Sequence, residues 1–137
     1  MKQRTLGNTG FNISEVGLGC WQLGGDFGPI EPKTVSEIFD AAMSSGINFF
    51  DTADVYGAGA SESFVGDHLA NIKPRPIIAT KYGRGGDAYP DKYSLNNLRD
   101  SLKRAQDRLQ CDSIDLIQLH CIPTEVMERG EIFDWLR

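Results

Sequence analysis

The 137-residue sequence predicts an α/β fold built on a parallel sheet. Three observations lead there. Short apolar runs alternate strictly with longer stretches whose apolar residues recur at helical spacing. The short runs are nearly continuous in apolar residues, as strands covered on both faces are. A hairpin-like segment precedes the first of them.

Residues 4–15 carry Leu6, Asn8-Thr9-Gly10 and Ile13, which read as a short strand, a turn and a second short strand. Val16-Gly17-Leu18-Gly19 follows as a buried strand with room for close backbone approach. A helix is predicted over about residues 34–45, because Val35, Ile38, Phe39 and Ala42 fall at i, i+3, i+4 and i+7. Thr34 and Glu37 fit a capping box, and Gly46 fits the position just past the helix end. The second strand is read over residues 47–51. Ser61 is expected to cap a second helix, with Phe64, Val65, Leu69 and Ile72 inward and Pro74 beyond its end. His68, four residues after Phe64, is expected on the buried side of that helix. A third strand covers residues 77–80. Residues 82–93 form a Gly-rich loop, in which Gly83 to Gly86 read as a flexible segment on the substrate side. Ser94 then caps the clearest helix, with Leu95, Leu98, Leu102, Ala105 and Leu109 on one face. A fourth strand covers residues 114–119. A fourth helix is expected to start near Gly130, with Ile132, Trp135 and Leu136 as its buried stripe.

The order is therefore a β-hairpin followed by four βα units. A (β/α)₈ TIM barrel takes ~250 residues, so residues 1–137 read as half of one: the N-terminal half of a single barrel domain, truncated within its fourth helix. The alternative is a small doubly wound domain of flavodoxin size, a fold that normally supplies five strands. An open four-stranded sheet leaves two edges unpaired. Those edges predict a homo-oligomer in which two copies pair to close an eight-stranded barrel.

The bulk numbers exclude several classes. A net charge of −5 with scattered Lys and Arg argues against a nucleic-acid partner. No apolar run reaches the ~18 residues of a membrane span, and the basic start has no apolar signal segment behind it. Cys20, Cys111 and Cys121 are too widely spaced for a disulfide framework, which predicts a reducing, cytoplasmic setting. No Cys or His pairs show zinc spacing. Gly83 to Gly86 lacks the Gly-Lys-Ser/Thr of a P-loop.

Chemistry in parallel α/β folds gathers at the C-terminal ends of the strands. Those ends offer Asp51, Lys81 and His120, with Tyr56 five residues beyond Asp51. Taken singly, Asp51 reads as a cap or turn residue, Tyr56 as a loop aromatic, Lys81 as a lysine reaching solvent and His120 as a satisfied histidine. Together they suit carbonyl reduction. Hydride transfer to a carbonyl leaves an alkoxide that must take a proton. A phenol is a weak acid, and a nearby ammonium favours its ionised form. A carboxylate keeps that ammonium charged and oriented. An imidazole can hydrogen-bond the substrate oxygen.

Three separated motifs carry a family resemblance. Phe49-Phe50-Asp51-Thr52-Ala53-Asp54-Val55-Tyr56-Gly57 resembles the aldo-keto reductase segment that bears the catalytic aspartate and tyrosine, and Gly59-Ala60-Ser61-Glu62 is similar to its G-x-S-E helix start. Ala79-Thr80-Lys81 resembles the family's lysine strand. Ser101-Leu102-Lys103-Arg104 with Asp115-Leu116-Ile117-Gln118-Leu119-His120 resembles its S-L-x-R…D-L-x-x-x-H signature. Leu6-Gly7-Asn8-Thr9-Gly10 fits the hairpin that plugs the barrel bottom. The pattern is most similar to the branch that includes potassium-channel beta subunits.

The resemblance implies an oxidoreductase acting on a small aldehyde or ketone with NADP(H). Tyr56 would donate the proton, Lys81 would ease its loss, Asp51 would pair with Lys81 and His120 would orient the carbonyl. The turn Gly19-Cys20-Trp21 would approach the cofactor, and Asp51 would touch its ribose. Most cofactor contacts in the family come from strands five to eight, which implies little activity from these residues alone. Gly17-x-Gly19 is no Rossmann fingerprint, since Gln22 stands where it needs Gly. A non-catalytic regulatory or binding module of the same family is the alternative function.

Overall fold

The computed structural model of the chain describes residues 1–137. Strands β1 (Gln3–Thr5) and β2 (Asn12–Ser14) pair antiparallel as the expected hairpin, with Arg4 opposite Ile13. Strands β3 (Leu18–Gly19), β4 (Phe49–Asp51), β5 (Ile77–Tyr82) and β6 (Leu116–Leu119) form one parallel sheet in sequential order. Helices α1 (Pro32–Ser44), α2 (Ala60–Leu69) and α3 (Leu95–Leu109) connect them, and two short helices, α4 (Thr124–Arg129) and α5 (Glu131–Trp135), follow β6. The parallel α/β alternation read from the sequence is thus present.

Several boundaries moved, each for a local reason. Helix α1 begins at Pro32 with Glu31 as its N-cap and no side-chain cap, so the capping box of Thr34 and Glu37 does not form. Proline brings a preset φ and has no N–H to satisfy, which starts the helix early. Helix α2 begins after Gly59, whose φ is +97°, rather than at a Ser61 cap. Ser61 is instead buried, and its hydroxyl donates to the Cys20 carbonyl at 2.7 Å. The first parallel strand is only Leu18–Gly19, and Val16 is exposed, because this strand forms an edge of the sheet. The predicted last helix starts where expected, just after Gly130 (φ +81°), but runs only Glu131–Trp135, and a short helix that the sequence did not suggest, Thr124–Arg129, precedes it. Ile132 is buried as expected, but Leu136 is exposed. Ser94 does cap α3: its Oγ accepts the Asn97 N–H at 3.1 Å.

Two apolar clusters hold the layers together. Val35 and Phe39 of α1, Val65 and Leu69 of α2, Phe50 and Ile78 of the sheet and Leu109 of α3 form the larger one. Each fully buried side chain of this size contributes roughly 1.5–3 kcal/mol. Tyr82, Leu98, Ile122 and Ile132 form the smaller, packing α5 against α3 and the end of β5. His68 is half-buried as expected, stacked on Phe39 at 5.0 Å and bonded to Ser36 Oγ at 2.8 Å.

Helices α2 and α3 touch backbone to backbone. A Cβ added at Gly66 would lie 2.2 Å from the Arg108 carbonyl oxygen, so only glycine allows this approach. Beside it, the Glu62 carboxylate is fully buried and accepts from Arg108 Nε at 2.6 Å and Thr80 Oγ1 at 2.5 Å. One carboxylate thereby joins α2, α3 and β5. At the opposite end of the sheet, Asn48 ties down the hairpin. Its Oδ1 accepts the Ser14 N–H at 2.6 Å and its Nδ2 donates to the Asn12 carbonyl at 3.0 Å. No helix is long and apolar enough to cross a membrane.

Candidate active site

Parallel strands bring their C-terminal ends to one rim. Asp51 ends β4, Lys81 is the last but one residue of β5, and His120 follows β6 directly. Lys81 faces Gln118 in the strand register. The Lys81 ammonium donates to Asp51 Oδ2 at 2.6 Å and to the Thr52 carbonyl at 2.8 Å. The other carboxylate oxygen, Oδ1, accepts from Gln118 Nε2 at 2.7 Å. Asp51 is therefore gripped from two neighbouring strands, and its partner ammonium is nearly enclosed, with 12% of the Lys81 side chain exposed.

Tyr56 enters from the loop after β4, in a tight turn over Tyr56–Gly59. Its ring lies under the Lys81 Nζ, 4.9 Å from nitrogen to ring centre. The His120 ring meets the same tyrosine edge-on at 6.1 Å. All four residues expected at the site thus meet at one rim.

Trp21, in a turn over Trp21–Gly24, stacks on Tyr56 at 5.8 Å. Its indole N–H donates to Asp26 Oδ2 at 2.8 Å, and Phe27 packs on it edge-on at 4.9 Å. The two turns cross at glycines. Gly57 has φ +57°, and a Cβ there would lie 2.0 Å from the Gly24 carbonyl oxygen. The tyrosine turn can rest on the tryptophan turn only because both positions lack side chains.

Electrostatics differ across the rim. Burial, Lys81 and Arg84 all push the His120 pKa below the usual histidine value, with Asp51 opposing them more weakly. The imidazole is consequently neutral at pH 7, and its enclosed Nδ1 has no hydrogen-bond partner within the chain. A neutral ring can still donate from the nitrogen that carries its proton. Cys20 lies beneath the rim with no exposed surface, and burial, then the charge of Asp51, pushes its thiol up to about 12. Its N–H donates to the Asp51 carbonyl at 2.8 Å. The Cys20 side chain is therefore closed off from a ligand at the mouth. Its neighbours are open: a Cβ at Gly19 would meet no atom within 4 Å, and Trp21 is 46% exposed.

A cleft of about 410 Å³ adjoins the rim, lined by Trp21, Asp26, Val55, Tyr56 and Arg84. On the far side of the tyrosine loop a second cleft, about 450 Å³, is lined by Asp54, Val55, Asp87, Arg104 and Arg108 among others. There Asp54 is pushed up to about 6, first by burial and then by the charge of Glu62.

The sequence reading missed Gln118, the Thr52 carbonyl and Arg84. Gln118 was within reach of it: it lies in β6 two residues before His120, at the alternation that places both on one side of the strand end. A backbone carbonyl leaves no mark in a sequence. Arg84 lies in the loop read as flexible and on the substrate side, but the residue itself was not singled out.

The aldo/keto reductase family profile matches residues 15–136. The chain is similar to the uncharacterized oxidoreductase YqkF of Bacillus subtilis, 38% identical over 143 residues, with all of this chain and 45% of that protein covered. It is also similar to L-galactose dehydrogenase of Arabidopsis thaliana, 38% identical over 122 residues, covering 87% of this chain and 38% of that protein. Among solved structures it resembles the aldo-keto reductase AKR11C1 from Bacillus halodurans in its holo form. That match has a TM-score of 0.79 and 35% identity, over 99% of this chain and 46% of that one. The chain spans less than half the length of these relatives.

Proposed function

The chain belongs to the aldo/keto reductase family of oxidoreductases, and from that premise we propose that it forms the first four βα units of a single barrel domain that reduces an aldehyde or ketone to an alcohol with NADP(H). One observation carries the reading: the Lys81 ammonium, fixed by Asp51 at 2.6 Å and by the Thr52 carbonyl at 2.8 Å, lies against the Tyr56 ring.

The residues present fit the nicotinamide-riboside end of such a cofactor. Gly19 leaves open space above the strand ends, and Trp21 offers an exposed aromatic face. Asp51 keeps 34% of its side chain exposed, and each of its oxygens has one partner, leaving lone pairs for a ribose hydroxyl. Gly19, Trp21 and Asp51 would hold that end, with Cys20 supporting the turn from below. When bound, the nicotinamide supplies the hydride.

The chain's own residues handle the proton. Tyr56 gives its hydroxyl proton to the carbonyl oxygen as the C–H bond forms, and the phenolate left behind faces the Lys81 ammonium. Asp51 and Gln118 keep that ammonium in place. Neutral His120 donates a hydrogen bond to the carbonyl oxygen and polarises it. The outer strands β3 and β6 have free edges. There the remaining strands of a barrel would pair, or a second copy of the chain.

Tyr56→Phe tests the reading. Turnover of an aldehyde should fall by a factor of ~10²–10⁴, the usual worth of a positioned acid, while cofactor binding followed by fluorescence is kept. A phenylalanine variant within about threefold of wild-type turnover, well under that factor, would refute it.

A further inference from the structure

We propose that Arg84 is a substrate-recognition residue and that the cleft beside Tyr56 takes a carbonyl compound bearing a carboxylate, the two groups separated by a flat or apolar spacer. This deepens the reductase reading and rests on it.

Three observations carry the inference. First, the cleft is contiguous with the chemistry: Tyr56, the proton donor, lines it together with Trp21, Asp26, Val55 and Arg84. Its volume of about 410 Å³ suits a small ligand. Second, its walls are a stacked Trp21–Tyr56 pair and Val55, surfaces that favour a flat or apolar body. Trp21 is held still, because its N–H is bonded to Asp26 and its ring is packed on Phe27. Third, Arg84 is an uncommitted cation. It is exposed and makes no ion pair or side-chain hydrogen bond in the chain; of the acids around it, Asp51 pairs with Lys81 and Asp87 with Arg104, Asp26 accepts only the neutral Trp21 indole, and the Asp54 Oδ1 has no partner.

A guanidinium presents a planar fork of donors that matches a carboxylate with two parallel hydrogen bonds. A lysine at this position would be only a point charge. The field of Arg84 also reaches the reacting end, since it is one of the charges that keep His120 neutral. A bound carboxylate would offset that field while anchoring the far end of the substrate, leaving its carbonyl toward Tyr56 and His120. The anchor binds ground state and transition state alike, so its loss should raise KM and leave kcat nearly unchanged.

The test follows the Trp21 indole N–H in a two-dimensional nitrogen–proton NMR titration of the full chain, with Trp135→Phe to remove the second indole. The probes are para-(hydroxymethyl)benzoate and its uncharged amide, para-(hydroxymethyl)benzamide. The benzoate should perturb the Trp21 signal saturably, with a dissociation constant raised about tenfold by Arg84→Gln, the scale of one charge-assisted hydrogen bond. The amide should be indifferent to that change, and Arg84→Lys should restore only part of the benzoate affinity. Equal effects of Arg84→Gln on both probes, or no perturbation by the benzoate at any concentration, would overturn the proposal. The corresponding para-substituted benzaldehydes separate the two readings. Turnover of both aldehydes with no charge selectivity leaves the reductase standing and removes the role of Arg84. Charge-selective binding without turnover of either leaves the carboxylate site and removes the reductase.

Discussion

Asp54→Asn should stabilise the protein above pH 6 and do nothing in acid. The aspartate is caught at the back of the tyrosine loop, its Oδ1 enclosed and without a hydrogen-bond partner. Burial, then the charges of Glu62 and Asp87, work against its ionisation, and Arg108 opposes them while committed to Glu62. The carboxyl is raised from an ordinary 3.8 to about 6. A raised acid binds its proton more tightly when folded, so its contribution to stability is complete below pH 3.8 and is lost as pH climbs through about 6. At 1.36 kcal/mol per pH unit the whole separation is worth at most about 3 kcal/mol. The cleft is open to solvent, and screening there brings the figure down to about 1 kcal/mol. Asparagine has the same shape and no charge, so it escapes that penalty. Urea unfolding should show the variant more stable by about 1 kcal/mol at pH 8, with the gap closing below the aspartate's ordinary 3.8. A gap that does not change with pH, or a variant weaker than wild type at pH 8, would refute the reasoning.

Three further outcomes are expected. Arg108→Met strands the fully buried Glu62 carboxylate and should cost ~3–5 kcal/mol in urea unfolding; adding Glu62→Gln should recover part of that loss. Gly57→Ala forces a side chain into a left-handed turn and onto the Gly24 carbonyl, which should lower stability by roughly 2–4 kcal/mol and shift the Trp21 indole resonance. In timed alkylation with iodoacetamide read by mass spectrometry, exposed Cys121 should react first and half-buried Cys111 later. Buried Cys20, its thiol pushed up to about 12, should react only on unfolding.

What the sequence could tell depended on how local the cause was. The Ser94 cap and the Leu98–Ala105–Leu109 stripe are short-range signals, and helix α3 formed where they put it. The capping box at Thr34 and Glu37 was equally local, but Pro32 supplied a stronger start two residues earlier. Ser61 had the right chemistry for a cap; the Cys20 carbonyl, 41 positions away in sequence, claimed its hydroxyl instead. The site was legible because parallel strands make strand ends converge, so Asp51, Lys81 and His120 could be placed together from topology alone. The grip of Gln118 on Asp51 needed the register between β5 and β6, which no single strand encodes. Cys20 was placed near the cofactor by the family resemblance, whereas the burial of its side chain depends on packing between the sheet and helices α1 and α2.

The crossing of Gly24 over Gly57 has an evolutionary consequence. It makes Trp21, which lines the cleft, and Tyr56, the proton donor proposed above, parts of one mechanical piece. A side chain at Gly24 therefore cannot be accommodated without also displacing Tyr56. If the proposed reductase reading holds, laboratory selection for broader scope at this crossing should return variants that gain new substrates and slow down on all of them, whereas substitutions at Arg84, another residue lining the cleft, should preserve the speed of the reaction.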